Sequence, residues 1–405
     1  MAISKGTSKT IAYKKEVTWG TPVTGTGAKQ LRRVTGNFNL TKETYESGEI
    51  RTDRQVADFR HGVRSATGSL NGEMSANTYS DFMQSVLAKD FAAVADLTGL
   101  AFALAGPTLG LYTLTRSSGS WLSGGQQVGQ VVRITAATAA AADNLNKNLL
   151  IASMTTLVLT VRVVNNSIMT PSPSVTAATV STIGKATQIP ATGHTEDSYT
   201  VEEFYSDIAQ SEVYSGVKVG TMNVALPATG LTTVDFSFMG KDLAATGTTQ
   251  YFTSPTVQGT NGILASVSGV MLVNGAPVAL ITSADFSVER AMENATAVGS
   301  NSVAEIFSGR IRVTGNLSIY FQDAVFRDYF NAESLVSIVM VLATNATANS
   351  DFVSFTMPSV KLGSFTKDDG ELGLVAQSSF TALLNAATGG GLPLSTFAVQ
   401  DSTLV

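Results

Sequence analysis

Few residues of this chain have the types and spacing that a chemical site requires. The two histidines, His61 and His194, lie in predicted loops, and neither has a second ligand at the spacing of a metal site. The segment KDDGE (367–371) holds three carboxylates, but a hairpin turn explains it better than weak cation binding does. The segment MGKD (239–242) lacks the glycine-rich lead of a phosphate-binding loop. We therefore expect no catalytic, cofactor-binding or metal-binding residues, and no enzyme.

The overall composition excludes further classes of protein. The 405 residues include no cysteine, so disulfides, thiolate nucleophiles and cysteine-based metal sites are excluded. The net charge is −5 and the basic residues form no patch, which argues against a protein that grips nucleic acid through phosphates. No apolar run is long enough for a transmembrane helix, and the amino-terminal segment lacks the apolar core of a signal peptide. The abundance of Gly, Ala, Ser, Thr and Val favours a β-rich protein with many turns.

A repeated segment reveals how the chain is organised. VTGNLSIYFQDAVFRDYF (313–330) has a weaker copy, ATGSLNGEMSANTYSDFM (66–83), 247 positions earlier. Flanking blocks match in the same order: NFNLTKE (37–43) resembles DFSVERA (285–291), and GVKVGTMNV (216–224) resembles SVKLGSFTK (359–367) at an offset of 143. The fall in the offset predicts a duplicated domain whose first copy holds about 104 additional residues between Met83 and Val217.

The elements that position these residues follow from periodicity. The common unit predicts a strand, a long loop, a strand, a short helix, a strand and a hairpin. In GRIRVTGNLSIYF (309–321) alternate residues are apolar, which is typical of a half-buried strand. The next segment, DAVFRDYFNAE (323–333), predicts a helix with Asp323 as its N-cap and with Val325, Phe326, Tyr329 and Phe330 on the packed face.

The additional residues of the first copy predict a separate module. Residues 94–197 contain several short strand candidates, which indicate a small antiparallel barrel or sandwich, and PSPSVTAATVSTIGKATQIPATGHTEDS (171–198) indicates a linker. The predicted organisation is an amino-terminal arm (1–30), a discontinuous first domain (31–93 and 198–245), the inserted module with its Pro/Ser/Thr-rich linker (94–197), a second domain (246–395) and a carboxy-terminal tail (396–405).

Four segments carry a family resemblance. They are IAYKKEVTWGTPV, the block from Arg33 to Leu87, YTVEEFYSDIAQSEVYSGVKVGTMNVALPATGLTTVDFSFMGKD, and GVMLVNGAPVALITSADFSVERAMENATAVGSNSVAEIFSGRIRVTGNLSIYF. In this order they resemble the tail tube proteins of bacteriophages with long, non-contractile, siphovirus-type tails. The resemblance implies a mainly β fold with two tandem tube domains, each a β-sandwich or half-barrel with a short flanking α-helix. The inserted β-barrel or sandwich departs from the minimal family pattern.

The same resemblance implies a function and partners. The chain is expected to be a structural virion protein that polymerises into stacked rings, and the resulting tail tube conducts DNA during ejection. The expected partners are other copies of the chain, the tape measure protein and passing DNA in the lumen, and the tail terminator and tail-tip proteins. Resembling tubes have six wedge-shaped tube domains (wedges) per ring, so a chain with two such domains implies trimeric rings with pseudo-sixfold symmetry. The expected location is the virion tail, after assembly in the cytoplasm of the bacterial host, without membrane insertion.

The long loop of each copy is the expected contact between rings. These loops, residues 42–62 and 289–309, are long for a compact domain, and such loops are usually functional or disordered. The expected contact residues are Glu43, Glu46, Glu49, Arg51, Asp53 and Arg54 in the first loop, and Glu293 and Asn301 in the second.

Some alternatives stay open from the sequence. Trp19, in VTWGTP, could anchor the amino-terminal arm on a partner or could pack against its own domain. A tail terminator or baseplate ring component of the same fold is the alternative function. A β-rich adhesin is a third, and only the insert favours it.

Overall fold

Strands make up most of the elements in the computed structural model, which describes residues 3–138, 142–165, 167–278, 280–369, 371 and 373–405. The chain begins with β1 (Lys9–Lys15), β2 (Lys29–Gln30), β3 (Thr35–Glu46), β4 (Phe59–Glu73) and α1 (Ser80–Leu87). The insert forms β5 (Leu97–Thr108), β6 (Leu111–Thr115), β7 (Val131–Thr138), β8 (Leu149–Met154), β9 (Val158–Val163) and β10 (Ser172–Thr182).

After the insert, the first copy is completed and the second follows. The chain forms β11 (Lys185–Gln188), β12 (Tyr199–Tyr205), β13 (Gln210–Pro227), β14 (Thr233–Gly240) and β15 (Asp242–Gly247). The second copy contains β16 (Gly269–Val273), β17 (Ala276–Pro277), β18 (Ile281–Ala295), β19 (Glu305–Tyr320), α2 (Val325–Asn331), β20 (Val336–Ala343), β21 (Phe352–Leu362), β22 (Thr366–Lys367), β23 (Val375–Ala382) and β24 (Ala398–Asp401). In the described ranges, neither α-helix has the length and apolar character needed to cross a bilayer.

Each copy of the repeat is a sandwich of two sheets that share one long strand. In copy one, the carboxy-terminal half of β13 belongs to a sheet with the strand order β3-β4-β14-β13. The amino-terminal half of β13 pairs with β12 and β15, and β12 also pairs with β1. In copy two, the equivalent sheet has the order β18-β19-β23-β21. The other half of β21 pairs with β20 and β24, and β20 also pairs with β16. We call the β1-β12-β13-β15 and β16-β20-β21-β24 sheets the short sheets. The two copies therefore share one topology.

The register of the strands matches between the copies. Lys42 lies opposite Arg64 in copy one, and Arg290 lies opposite Ile311 in copy two, with a bulge directly after both pairs. The offset between the copies is 248 on the first strand of this hairpin and 247 on the second, because the hairpin tip of copy one is one residue longer. The structure thus explains the slip in the alignment of the two copies.

The prediction of a long loop in each copy was partly wrong. β3 continues to Glu46 and β4 starts at Phe59, so a two-stranded ribbon replaces both ends of the predicted first loop and leaves a tip at residues 47–58. β18 and β19 form the same kind of ribbon in copy two, with a tip at residues 296–304. His61 consequently lies on β4 and not in a loop. The residues of β3 beyond Leu40 are exposed on both faces, so no alternation of apolar residues marks this part of the strand.

The core lies between the two sheets of each copy. In copy one, Phe82 of α1 packs against the rings of Tyr13, Tyr199, Phe236 and Phe238, at centroid distances of 4.8 to 5.5 Å. Burial and the nearby carboxylate of Asp81 raise the pKa of Tyr13 well above its ordinary value.

In copy two, the predicted strand alternation is confirmed. Val313, Leu317 and Ile319 are buried and Asn316 is exposed. The helix α2 begins at Val325, so its N-cap is Ala324 and the prediction of Asp323 was wrong by one position, although Asp323 Oδ1 accepts the N–H of Val325 at 3.0 Å. Val325, which was predicted on the packed face, is exposed.

The insert folds as a closed barrel of six strands in the order β10-β5-β6-β9-β8-β7. Trp121 is fully buried in its core and donates its indole N–H to the carbonyl of Leu157 at 3.1 Å. The prediction of a linker at 171–198 was wrong for its first two thirds, because residues 172–182 form β10 and residues 185–188 form β11. Val175, Ala178 and Val180 are buried there, and β-branched Thr and Val residues favour a strand.

The barrel covers the short sheet of copy two. Its Val131, Leu150 and Val164 form one buried cluster with Val339 and Val341 of β20.

Polar contacts reinforce this packing. The N–H of Val131 donates to Gln400 Oε1 at 2.7 Å, and the N–H of Asn148 donates to the Ala348 carbonyl at 2.8 Å. Beside the barrel, β11 pairs with β24.

We predict that the barrel can be removed if β11 is kept. Ala92 and Ala186 exchange two backbone hydrogen bonds of 2.9 Å, so a short Gly/Ser linker can replace residues 95–183. This variant should unfold cooperatively but bind a hydrophobic dye, because it exposes Val339 and Val341. Deletion of residues 94–197 should lower the unfolding temperature further, because it also removes β11, which pairs with β24, and Glu196, whose carboxylate pairs with the buried Lys218 and Arg290. Equal unfolding temperatures for the two deletions would contradict the role of β11 and Glu196.

Candidate assembly interface

A ladder of backbone hydrogen bonds between β13 and β18 joins the two copies edge to edge. The ladder runs from Thr221 opposite Glu289 to Pro227 opposite Ser283. It creates one continuous sheet in the order β3-β4-β14-β13-β18-β19-β23-β21, which we call the long sheet. The joint uses one edge of each copy, and it leaves β3 at one end of the long sheet and β21 with β22 at the other.

Four charged residues lie beside this ladder: Glu196, Lys218, Arg290 and Glu305 (the junction cluster). Lys218 Nζ lies 3.3 Å from a carboxylate oxygen of Glu196 and 3.3 Å from one of Glu305. The Arg290 guanidinium pairs with Glu196 and donates to the Ser85 carbonyl at 3.1 Å. Because Ser85 lies in the last turn of α1, the negative end of the helix dipole also favours this cation.

Burial makes the junction cluster interdependent. Only 5% of the Lys218 side chain and 3% of the Arg290 side chain are exposed, whereas 47% of Glu196 is exposed. Burial lowers the pKa of Arg290, and the carboxylate of Glu196 acts in the opposite direction. A buried charge is costly unless an opposite charge pairs with it, so both cations need the carboxylates beside them. This need is strongest for Arg290, because arginine stays charged in proteins. Glu196 thus contacts one buried cation from each copy.

Sequence reasoning missed the junction cluster, although one signal for it was present. Arg290 is in phase with Phe286 and Val288 on the buried face of β18. A charge in this phase indicates a buried ion pair. Its partner Glu196 lies in the segment that was predicted to be a linker, so no pattern connected the two residues before folding.

The two free ends of the long sheet lack a neighbouring strand in the described part of the chain. On β3, Leu40 is half-buried and Lys42 is exposed, whereas the equivalent Val288 and Arg290 of β18 are buried beneath the joint. At the other end, Phe365 is half-buried, whereas the equivalent Met222 of β13 is fully buried. Unpaired strand edges bind other strands readily.

One face of the long sheet is polar over its whole width. Hydrogen bonds connect neighbouring strands on this face: Asn71 Nδ2 donates to Asp235 Oδ1 at 2.7 Å, and Asn316 Nδ2 donates to Asp285 Oδ1 at 3.0 Å. The other exposed or half-buried members include Asn37, Asn39, Thr67, Ser69, Thr221, Asn223, Ser237, Ser287, Thr314, Gln377 and Ser379. We call this surface the polar face. Small polar groups dominate it, and its charged members include Asp235, Asp285 and Glu289, with Arg312 opposite Glu289.

The predicted contact residues of copy one lie on its projecting hairpin. The expectation that all of them belong to a loop was wrong, because Glu43 and Glu46 lie on β3. Glu49, Arg51, Asp53 and Arg54 lie in the tip and are exposed. Arg51 pairs with Asp53 at 2.8 Å, and this hydrogen bonding lowers the pKa of Asp53. Whether these residues contact another ring stays a prediction.

The hairpin of copy two lies against copy one. Glu293 is on β18 and not in a loop, opposite Phe307. In the tip, the carbonyl of Asn301 accepts the N–H of Arg64 at 2.9 Å, and Val303 is buried. Asn301 therefore contacts the other copy of its own chain, and a role between rings stays a prediction.

Trp19 packs against its own chain. Its indole donates to the Gly216 carbonyl at 3.2 Å, and the amines of Lys218 and Lys241 lie 5.7 and 5.0 Å from its ring centroids. Glu16, which is buried, orders this segment by accepting the N–H groups of Gly20 and Gly216 at 2.8 Å. A further role for Trp19 as an anchor on a partner stays a prediction.

The segments first considered for chemistry have structural roles where they are described. Lys241 of MGKD lies over Trp19, and Asp242 pairs with Arg64 at 2.6 Å. In KDDGE, Asp368 exchanges hydrogen bonds with Val375 next to the β22–β23 pairing, and Gly370 lies outside the described residues. Across the described ranges, no group of three His, Asp or Glu side chains is arranged to hold a metal ion.

We predict that Glu196→Gln destabilises the isolated chain. The substitution keeps the size of the side chain but leaves two buried cations with one carboxylate, Glu305, so we expect a loss of about 2 kcal/mol in the free energy of unfolding, reduced by the partial exposure of Glu196. The matched control is Glu333→Gln, which removes an ion pair between Glu333 and Lys361 whose side chains are 78% and 43% exposed. It should change stability by less than about 0.5 kcal/mol. Similar losses for both variants in urea unfolding would contradict the role of Glu196.

Comparison with known proteins agrees with this architecture. A search of the curated proteins finds no match to the chain. The family model for the phage tail tube protein matches residues 6–392, a span that runs from before β1 to beyond β23 and includes the first copy, the insert and the second copy except β24. The chain belongs to the phage tail tube protein family.

Proposed function

We propose that this chain forms the tail tube of a siphovirus-type phage from rings of three chains, stacked into a conduit for DNA ejection. The observation that carries the proposal is the long sheet, in which two copies of one topology lie side by side with a different free edge at each end. A heterologous contact between unlike edges generates a closed ring when its rotation returns to the start. Six wedges from three chains then form one barrel without free edges.

The proposed domain organisation follows the duplication. The two tube domains comprise residues 31–93 with 198–245 and residues 246–395, the barrel is an insertion at 94–197, and residues 1–30 and 396–405 flank them. The attachment of the inserted barrel over a short sheet supports a position on the outer wall of the tube, away from the long sheet.

The polar face of the long sheet is the proposed wall of the lumen. Its opposite face packs against α1 and the short sheets, so only the polar face is free to surround a channel. Asp235 and Asp285 lie on it, together with many Ser, Thr and Asn side chains. Lys and Arg contacts to phosphates add affinity through the release of counterions, and their scarcity here lets DNA pass without sticking.

The proposed partners follow from this position in the virion. The tape measure protein and then the DNA occupy the lumen, the terminator and tail-tip proteins close the two ends, and the subunits assemble in the host cytoplasm. We propose no enzymatic activity and no cofactor. The hairpin residues Glu43, Glu46, Glu49, Arg51, Asp53 and Arg54, with Glu293 and Asn301, are proposed to set the register between rings.

The number of chains per ring is the main test of this proposal. We expect a helical cryo-EM reconstruction of the purified, assembled protein to show three chains per ring with pseudo-sixfold symmetry. Six equivalent chains in each ring would contradict the duplicated-wedge proposal. Single rings that do not stack would favour the terminator or baseplate alternative, and monomers at high concentration would contradict assembly into a tube.

The charge of the lumen can be tested by reversal. We expect tubes of Asp235→Lys/Asp285→Lys to retain short duplex DNA after washing, because the ring places these lysines around the duplex. The retention should fall steeply as the salt concentration rises. The matched control is Asp96→Lys/Asp207→Lys, which makes the same change in net charge at exposed positions outside the long sheet. Equal retention of DNA by the two variants in a sedimentation assay would contradict the proposed lumen.

A further inference from the structure

We propose that the two free edges of the long sheet bind each other between chains, with the register of the internal joint. β3 of one chain pairs antiparallel with residues 364–369 of the next, and Glu333 of that next chain bridges its own Lys361 to Lys42 of the first. The partner is a second copy of this chain. This inference rests on the ring proposed above and adds the contacts and register of its seam.

The first argument is that β3 is equivalent to β18 residue by residue. Lys42 and Arg290 both precede the bulge in their hairpins and lie opposite equivalent residues, Arg64 and Ile311. The strand that β18 uses to bind β13 therefore has a counterpart in β3 with the same shape and phase.

The second argument is that the other free edge is equivalent to β13. Lys361 lies opposite Thr381 as Lys218 lies opposite Met239. Further along, Thr366 lies opposite Gln377 as Asn223 lies opposite Asp235. The register is preserved at both points, so the pairing of β13 with β18 can be transferred to this edge.

The transfer predicts the facing residues of the seam. Thr221 opposite Glu289 becomes Ser364 opposite Thr41, on the polar face. Met222 opposite Val288 becomes Phe365 opposite Leu40, on the buried face. Phe365 and Leu40 are only half-buried in the single chain, and the proposed seam covers both, as the internal joint covers Met222 and Val288.

The third argument is the charge at the free edge. Glu196 and Glu333 each stand three residues before the first paired residue of an equivalent strand, Tyr199 and Val336. Glu333 already pairs with Lys361 at 2.9 Å, as Glu196 pairs with Lys218.

What the free edge lacks is the second cation, because the residue equivalent to Arg290 is Lys42 and lies at the far end of the long sheet. Lys42 is exposed in the single chain. Asp58 corresponds to Glu305 and would be the second carboxylate of the seam. The carbonyl of Asp58 accepts the N–H of Ser47 just beyond the last strand pair of its hairpin, and Glu305 lies opposite Ala295 at the same place in the hairpin of copy two. The seam, like the junction cluster, would then contain two cations and two carboxylates.

The absence of cysteine allows the seam to be trapped. In Thr41→Cys/Ser364→Cys, oxidation of assembled protein should give a covalent ladder that ends at three chains on a non-reducing gel, and each single variant should give none. Asn37→Cys/Ser364→Cys is the register control, because these residues are four positions out of register in the proposed pairing, and it should give no ladder.

Each outcome separates the seam from the proposed function. Tubes that form normally but give no ladder with Thr41→Cys/Ser364→Cys, or an equal ladder with the register control, would overturn the seam and leave the tube intact. A ladder that ends at six chains would overturn the trimeric ring. Absence of rings and tubes in electron microscopy of the unmodified protein would contradict the proposed function itself.

Charge variants provide a second measurement that does not depend on disulfide geometry. Lys42→Gln and Glu333→Gln should each raise the protein concentration needed for tube formation about tenfold, while the unfolding transition of the single chain stays unchanged. Lys42→Arg should assemble normally, because arginine occupies the equivalent position 290. Unchanged assembly of both glutamine variants would overturn the bridge through Glu333.

Discussion

An exposed strand edge is the constraint on which this architecture depends. A β-strand at the end of a sheet carries unpaired N–H and C=O groups, and it must be covered, blocked or paired. Each copy of the repeat has two such edges, and the chain pairs one from each through β13 and β18. The two remaining edges have different sequences and lie at opposite ends of the long sheet. As a phage tail tube protein the chain assembles into a tube of the virion tail, and its remaining edges are suited to that assembly.

Fusion of the two copies also explains why they have diverged. Once joined, each copy has a different neighbour, so equivalent positions can carry different chemistry. Glu202 of β12 is equivalent to Val339 of β20. Glu202 is buried under residues 251–252 and accepts the N–H groups of Tyr251 and Phe252 at 2.6 and 3.1 Å, whereas Val339 is buried under the inserted barrel. The two short sheets are thus covered by unrelated segments, while the long sheet keeps one register in both copies.

Several features could be predicted from sequence because they depend on local periodicity. The alternation around Val313 and Leu317 identified a strand and its buried face, and the matched order of segments identified the duplication and the presence of an insert in the first copy. The hairpin ribbons were missed, since residues such as Glu43 and Glu46 are solvated on both faces of a two-stranded extension and leave no apolar pattern. The strand β10 was missed because its Ser, Thr and Pro content is also typical of a linker.

The sequence by itself determined the fold class, the repeated unit and the order of its elements, because these follow from patterns between residues that are close along the chain or that match between copies. Only the tertiary structure decided which edges pair and which charges meet. Glu196 and Arg290 are 94 positions apart, and nothing in their local sequence specifies the contact. They meet because β13 accepts β18 at one register, and that register brings Lys218 and Arg290 to the same carboxylate. Long-range pairing of this kind depends on the free energy of the whole packed arrangement, which a local pattern does not contain.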